Sequence, residues 1–257
     1  MLDLLPLSLL PTFLLVFARI TSFFLVMPLF SYRTIPTMFK IGFAVFLSMI
    51  ISMHIDVVIA DIDFTYYFLV MKEVIVGLMI GFIAFMILSA VQIAGGFIDF
   101  QMGFAVANVI DPQTGAQSPL IGQYFYVIAL LFLLTVNGHH LLIDGMYNSF
   151  QFIPVDAFIS FKDIFASFTI QTFNKMFLIA FQMSLPIVGC LFLVDVALGI
   201  VARTVPQLNV FVVGLPLKIT VSFLVLSFFI ALYINLTRFL FETMFKTMRD
   251  LMIILGG

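Results

Sequence analysis

Residues 74–98, 176–194 and 219–237 each run without a single Asp, Glu, Lys or Arg. A helix that crosses the hydrocarbon core of a bilayer needs about 20 predominantly apolar residues, and these runs meet that length. They are continuous and do not alternate with period two, which argues against a transmembrane β-barrel. Residues 4–30 form a fourth run if Arg19 is tolerated. Residues 120–136 are slightly short, and 41–55 and 141–153 shorter still. The chain is therefore expected to be all-α and to pass through a membrane several times.

The charge content removes the main competing class. Only 9% of the 257 residues are charged, and 63% are hydrophobic. A soluble surface is roughly 25–35% charged, so a water-soluble monomer and a disordered chain are both excluded. The net charge is −2 and no long basic block occurs, which leaves no cationic footprint for nucleic acid. One cysteine, Cys190, excludes an internal disulfide and a Cys-based metal cluster. There is no Trp, against 34 Phe. The missing interfacial Trp belt implies that much of the apolar surface meets protein. The opening segment lacks a basic start, carries Asp3 and is interrupted by Pro6 and Pro11, so it is expected to be a retained first segment and not a signal peptide.

Polar stretches punctuate the runs. Arg33 and Lys40 in the first loop place it on the cytoplasmic side by the positive-inside rule. The second loop, with Asp56, Asp61 and Asp63, then falls outside. The tail, with Arg238, Lys246 and Arg249, belongs inside, which requires an odd number of crossings. The clear runs number six. Either residues 141–153 also cross, or some segments do not span.

Ionised residues inside apolar helices are costly and face protein or a wet cavity. Arg19, Lys72, Glu73, Asp195 and Arg203 are of this kind. Lys72 and Glu73 are neighbours and point about 100° apart on a helix, so each is expected to find partners other than the other. Asp195 and Arg203 lie too far apart for an intrahelical contact, which favours pairing across subunits. Helix–helix packing and a role along an ion path both remain open for these charges. Gly77 and Gly81 form a G-x-x-x-G step that permits close helix approach. His139, His140 and Asp144 lack the H-E-x-x-H spacing of a zinc protease, and polar capping after Asn137-Gly138 is the simpler reading. No phosphate-cradling G-x-x-x-x-G-K-[ST] and no G-x-S-x-G occurs.

Four stretches together carry a family resemblance. They are Ala18-Arg19 with Pro28-Leu29-Phe30; Gly95-Gly96-Phe97-Ile98-Asp99-Phe100-Gln101-Met102-Gly103-Phe104 continuing to Asp111-Pro112-Gln113-Thr114-Gly115; Asn137-Gly138-His139-His140 with Ser149-Phe150 and Pro154; and Arg203-Thr204-Val205-Pro206-Gln207-Leu208-Asn209-Val210-Phe211 continuing to Gly214-Leu215-Pro216-Leu217-Lys218. In order and over nearly the whole chain, these resemble the FliR family of flagellar export-gate proteins. The fourth stretch is the most specific. The related subunits of virulence type III secretion systems share its core. Gln101-Met102-Gly103 and Val213-Gly214-Leu215-Pro216-Leu217-Lys218 lean to the flagellar branch.

The resemblance implies a single export-gate domain over residues 1–257 and a structural subunit without enzymatic activity or cofactor. It implies helical hairpins packed in a hetero-oligomeric gate with homologues of FliP and FliQ and contacted by an FlhB homologue. The gate would sit in the bacterial inner membrane, in the flagellar basal body, against membrane lipid, and would pass unfolded export substrates. It further implies that the loop at residues 101–118 plugs the channel, with Gln101, Met102, Gly103, Phe104, Asn108, Asp111, Pro112 and Gly115 as gate candidates. The blander reading is an ordinary connecting loop. Candidate assembly contacts are Arg19, Lys72, Glu73, Asp195, Arg203, Pro206, Gln207, Asn209 and Lys218. The rival readings are the equivalent subunit of a virulence secretion system, a secondary transporter with broken helices, and an intramembrane hydrolase around His139, His140 and Asp144.

Overall fold

Prolines and one left-handed asparagine cut the apolar runs into helices. A computed structural model describes residues 10–31, 35–55, 63–104, 119–159, 164–205, 207 and 209–256. Seven helices are found among them: α1 (Leu10–Val26), α2 (Thr37–Ser52), α3 (Phe64–Met102), α4 (Leu120–Thr135), α5 (Gly138–Phe152), α6 (Ile164–Thr204) and α7 (Val210–Gly256). No strand occurs among the described residues. The chain is an all-α membrane protein.

Pro11 sits in the first turn of α1, where its missing N–H removes nothing the helix uses. Pro36 and Pro119 immediately precede α2 and α4, and their carbonyls accept the first helical N–H groups, from Lys40 and Gln123. Leu29 and Asn137 carry positive φ, 80° and 56°. Asn tolerates that region, and its carbonyl accepts from His140 and Leu141 as α5 starts. Pro186 and Pro216 lie inside α6 and α7.

Among the described residues, three helices are long and apolar enough to cross a membrane: α3, α6, and α7 from Val212 onward. Helices α4 and α5, separated by a short break, make a fourth if they form one span. Of the two alternatives left open by the sequence, this favours the one in which some apolar segments do not span. Residues 4–30 and 41–55 contribute helices of 17 and 16 residues. At 1.5 Å per residue these are roughly 25 Å long, short of a core about 30 Å thick. Residues 141–153 belong to α5, which starts at the Asn137 bend and is the most polar of the seven helices.

The chain divides into two compact units. Unit 1 comprises Met1–Ile87, Val136–Phe173 and Glu242–Gly257; unit 2 comprises Leu88–Thr135 and Asn174–Phe241. In unit 1, α1 packs on α2, and the rings of Phe24, Phe30 and Phe43 stack at 4.6–5.7 Å. The G-x-x-x-G step faces α1. A Cβ on Gly77 would enter the Arg19 carbonyl and Ser22 Oγ, and one on Gly81 would lie 3.0 Å from the Phe23 carbonyl. In unit 2, Gly95 and Gly122 bring α3 and α4 into backbone contact. Tyr233 stacks on Phe125 at 4.4 Å and donates its hydroxyl to the Phe125 carbonyl at 2.6 Å.

Candidate functional site

Two clusters of polar side chains stand out, one in each unit. The first is buried. Arg19 and Glu73 are fully enclosed and Lys72 is 6% exposed. Helix α1 supplies Arg19 and α3 supplies the adjacent pair, held close by Gly77. Arg19 and Glu73 meet as a fork on a carboxylate, through Nε to Oε2 and Nη2 to Oε1, the latter at 2.9 Å. The remaining guanidinium hydrogens reach the end of α5. Nη1 donates to the Ser149 carbonyl at 3.0 Å and to its hydroxyl at 3.2 Å, and Nη2 donates to the Ile153 carbonyl at 2.8 Å. The guanidinium also lies 4.1 Å over the Phe150 ring. All five donors of the group are thus used.

Lys72 completes the cluster. It pairs with Glu73 and donates to the carbonyls of Pro154, Val155 and Ala157 at 2.9, 3.1 and 3.1 Å. The expectation that Lys72 and Glu73 would avoid each other is corrected. The long flexible stem of Lys72 covers the 100° between them, and both residues have further partners. Two cations face one carboxylate, and the excess positive charge sits against carbonyls at a helix C-terminus, where a cation is favoured. The network is intrachain.

The second cluster surrounds the candidate gate segment. Gly103, at φ 89°, ends α3. Phe104 N–H donates to the Asp99 carbonyl and Gly103 N–H to the Phe100 carbonyl, the Schellman pattern that stops a helix at a left-handed residue. One turn earlier, the buried Asp99 carboxylate accepts the Ile121 N–H through both oxygens, at 3.2 and 3.1 Å. It thereby caps the positive end of α4 from another helix. Gly95 against Gly122 lets the two backbones come that close. The two ends of the segment between α3 and α4 are tied together. Of the gate candidates, Gln101, Met102, Gly103 and Phe104 belong to this base, and Met102 is fully buried. Asn108, Asp111, Pro112 and Gly115 lie outside the described residues.

Gln101 reaches further. Its amide donates to Asp195 Oδ2 on α6 at 2.8 Å, while Lys218 on α7 pairs with Asp195 Oδ1. Within the chain, Asp195 thus meets Lys218 and Gln101 and not Arg203. Arg203 is exposed in the last turn of α6, without an ion pair or hydrogen bond among the described residues. Gln207 is exposed. The Asn209 carbonyl accepts from Val212 and Val213 and starts α7. Pro206 lies outside the described residues.

Among the described residues, no group of three or more His, Cys, Asp or Glu side chains is placed to hold a metal ion. The rings of His139 and His140 are 4.0 Å apart, and Asp144 accepts from Asn148.

Sequence reasoning missed Asp99 and the Gly95–Gly122 contact as parts of this site. An acid closing the uncharged run at residues 74–98, three residues after the Gly95-Gly96 pair, was the available signal for both. The roles of the carbonyls of Ile153, Val155 and Ala157 carried none, because backbone acceptors have no residue signature.

A family model for bacterial export proteins, family 1, matches residues 10–244. The chain is 59% identical over 252 residues to the flagellar biosynthetic protein FliR of Bacillus subtilis (strain 168), covering 97% of each. It is 28% identical over 234 residues to the flagellar biosynthetic protein FliR of Escherichia coli (strain K12), covering 91% of this chain and 89% of that one. It is also similar to the secretion system apparatus protein SsaT of Salmonella typhimurium, at 30% identity over 156 residues, or 61% of this chain and 60% of that one. The family match runs through both units and includes Arg19, Glu73, Asp99 and Asp195, and on this ground the chain belongs to the bacterial export proteins, family 1, in the FliR family of flagellar biosynthetic proteins.

Proposed function

We propose that this chain is a structural, non-enzymatic subunit of the flagellar export gate in the bacterial inner membrane. It assembles with FliP and FliQ homologues, meets an FlhB homologue within the basal body, and helps form and close the channel for unfolded flagellar proteins. FliR membership supports the flagellar assignment. The virulence reading is weaker, because the similarity to SsaT covers 61% of the chain against 97% for the Bacillus subtilis protein. Assembly is supported by the surfaces of α6 and α7. Their most apolar windows are only 11% and 17% buried, against 61% for α3.

The observation that carries the gating role is the anchored base of the segment at residues 101–118. Gly103 stops α3, Asp99 caps α4, and Gln101 is held by Asp195. A segment with fixed ends can occlude a channel and be displaced without unfolding its supports. If it stabilises the closed state, each ~1.4 kcal/mol lost shifts the open-to-closed ratio tenfold.

A short deletion within residues 108–115 should therefore make cells leak small solutes while the complex still assembles. Substitutions in the acidic loop at residues 56–63 should not. The test measures solute leak and complex yield together. Loss of assembly without leak makes the segment a packing element, and an unchanged phenotype in both assays removes the gating role.

A further inference from the structure

Unit 1 holds an open groove of about 590 Å³ between α5 and the last turns of α7. Its floor is apolar, from Leu141, Phe245, Met248 and Met252. Four charged side chains line it as well: Asp144 from α5, and Glu242, Lys246 and Arg249 from α7. On α7 these stand at i, i+4 and i+7, on one face of the helix. Glu242 precedes Lys246 by one turn, the favourable order for an intrahelical pair. Yet none of the four takes part in an ion pair among the described residues. Asp144 accepts only the Asn148 amide, at 3.0 Å. Two cations and two anions thus face one cavity without neutralising each other.

We propose that this groove binds the headgroup of a zwitterionic membrane lipid with a primary amine, a phosphoethanolamine lipid. Its phosphate would meet Lys246 and Arg249, and its ammonium would meet Asp144 and Glu242. Charge complementarity selects this occupant. An anionic headgroup would face two carboxylates, and a quaternary ammonium has no N–H to donate to them. Position agrees, because charges return to α7 only after the uncharged residues 219–237, and on a spanning helix that is the level of lipid headgroups. Size agrees too. The cavity lies in the range of about 300–1,000 Å³ common for small-ligand sites.

The test is native mass spectrometry of the full chain in detergent, with ethanolamine, choline and glycerol phospholipids of matched acyl chains at equal concentration. The ethanolamine lipid should be retained over both others by about tenfold. Asp144→Asn with Glu242→Gln should abolish that preference, and Lys246→Gln with Arg249→Gln should lower retention of every phospholipid. All four residues are exposed, so the variants should keep the wild-type melting temperature. If they do not fold, the wild-type protein decides: soluble glycerophosphoethanolamine should displace the bound lipid where inorganic phosphate does not. Equal or better retention of the glycerol lipid overturns the proposal. So does unchanged retention in both folded variants, equal displacement by phosphate, or a stoichiometric polypeptide in the groove that the Asp144→Asn, Glu242→Gln variant releases.

Discussion

The two units handle the same chemistry in opposite ways. In unit 1 a carboxylate, a guanidinium and an ammonium are sealed from solvent. Every guanidinium hydrogen is matched, and the surplus cation lies against carbonyls. In unit 2 Asp195 and Lys218 pair with side chains 36% and 21% exposed. A buried pair loses little to screening but leaves an uncompensated charge if one member is removed. A half-open pair can fall back on water. The first cluster is suited to fixing structure, and the second to being made and broken at low cost. The second is also the one joined to Gln101 at the base of the candidate gate segment.

The sharpest break in that contrast is Arg19→Met. It leaves Glu73 with Lys72 alone and strips the buried Glu73 Oε2 and the Ser149 and Ile153 carbonyls of their donor, with an expected loss of about 3–5 kcal/mol. Thermal melting of the solubilised protein and its membrane yield would show it. Wild-type stability would mean that the buried cluster does not hold unit 1.

Gly95→Val comes next. The nearest atoms to its Cβ are backbone atoms of Gly122, which cannot swing aside, so overpacking should cost about 1–3 kcal/mol or more. Gly189→Ala is its control. Nothing lies within 4 Å of that Cβ, and replacing a helical glycine there should be neutral or gain up to about 1 kcal/mol. Equal destabilisation by both, in parallel melts, would mean that α3 and α4 do not meet at Gly95.

Asp195→Asn and Lys218→Gln should each change stability by about 0–1 kcal/mol, less at high salt. Exchanging the two charges should recover most of the loss. A loss as large as that of Arg19→Met would erase the distinction between the clusters.

The smallest effect on stability should come from Arg203→Ala, within about 0.5 kcal/mol, because the side chain is exposed without an ion pair among the described residues. Reduced motility or complex yield with an unchanged melting temperature would assign Arg203 to a partner. No change in either would leave it an incidental charge.

Much of this protein is local and was therefore legible in the sequence. Apolar runs without charges dictate helices in a membrane, because backbone groups there have no water to bond. Gly77 and Gly81 announced a close helix approach, since glycine presents no side chain at any contact. The start of α5 followed from the Asn137-Gly138 turn. Which charges meet was decided by tertiary structure alone. Arg19 finds Glu73 and Ser149 far along the chain, and Asp195 finds Lys218 and Gln101 and not Arg203. An ionic partner is chosen by which helices pack together, and spacing along one helix says nothing about its neighbours. The number of spans stayed open in the sequence for a related reason: hydropathy marks which residues are apolar and not where a helix breaks, as the chain does between Thr135 and Gly138.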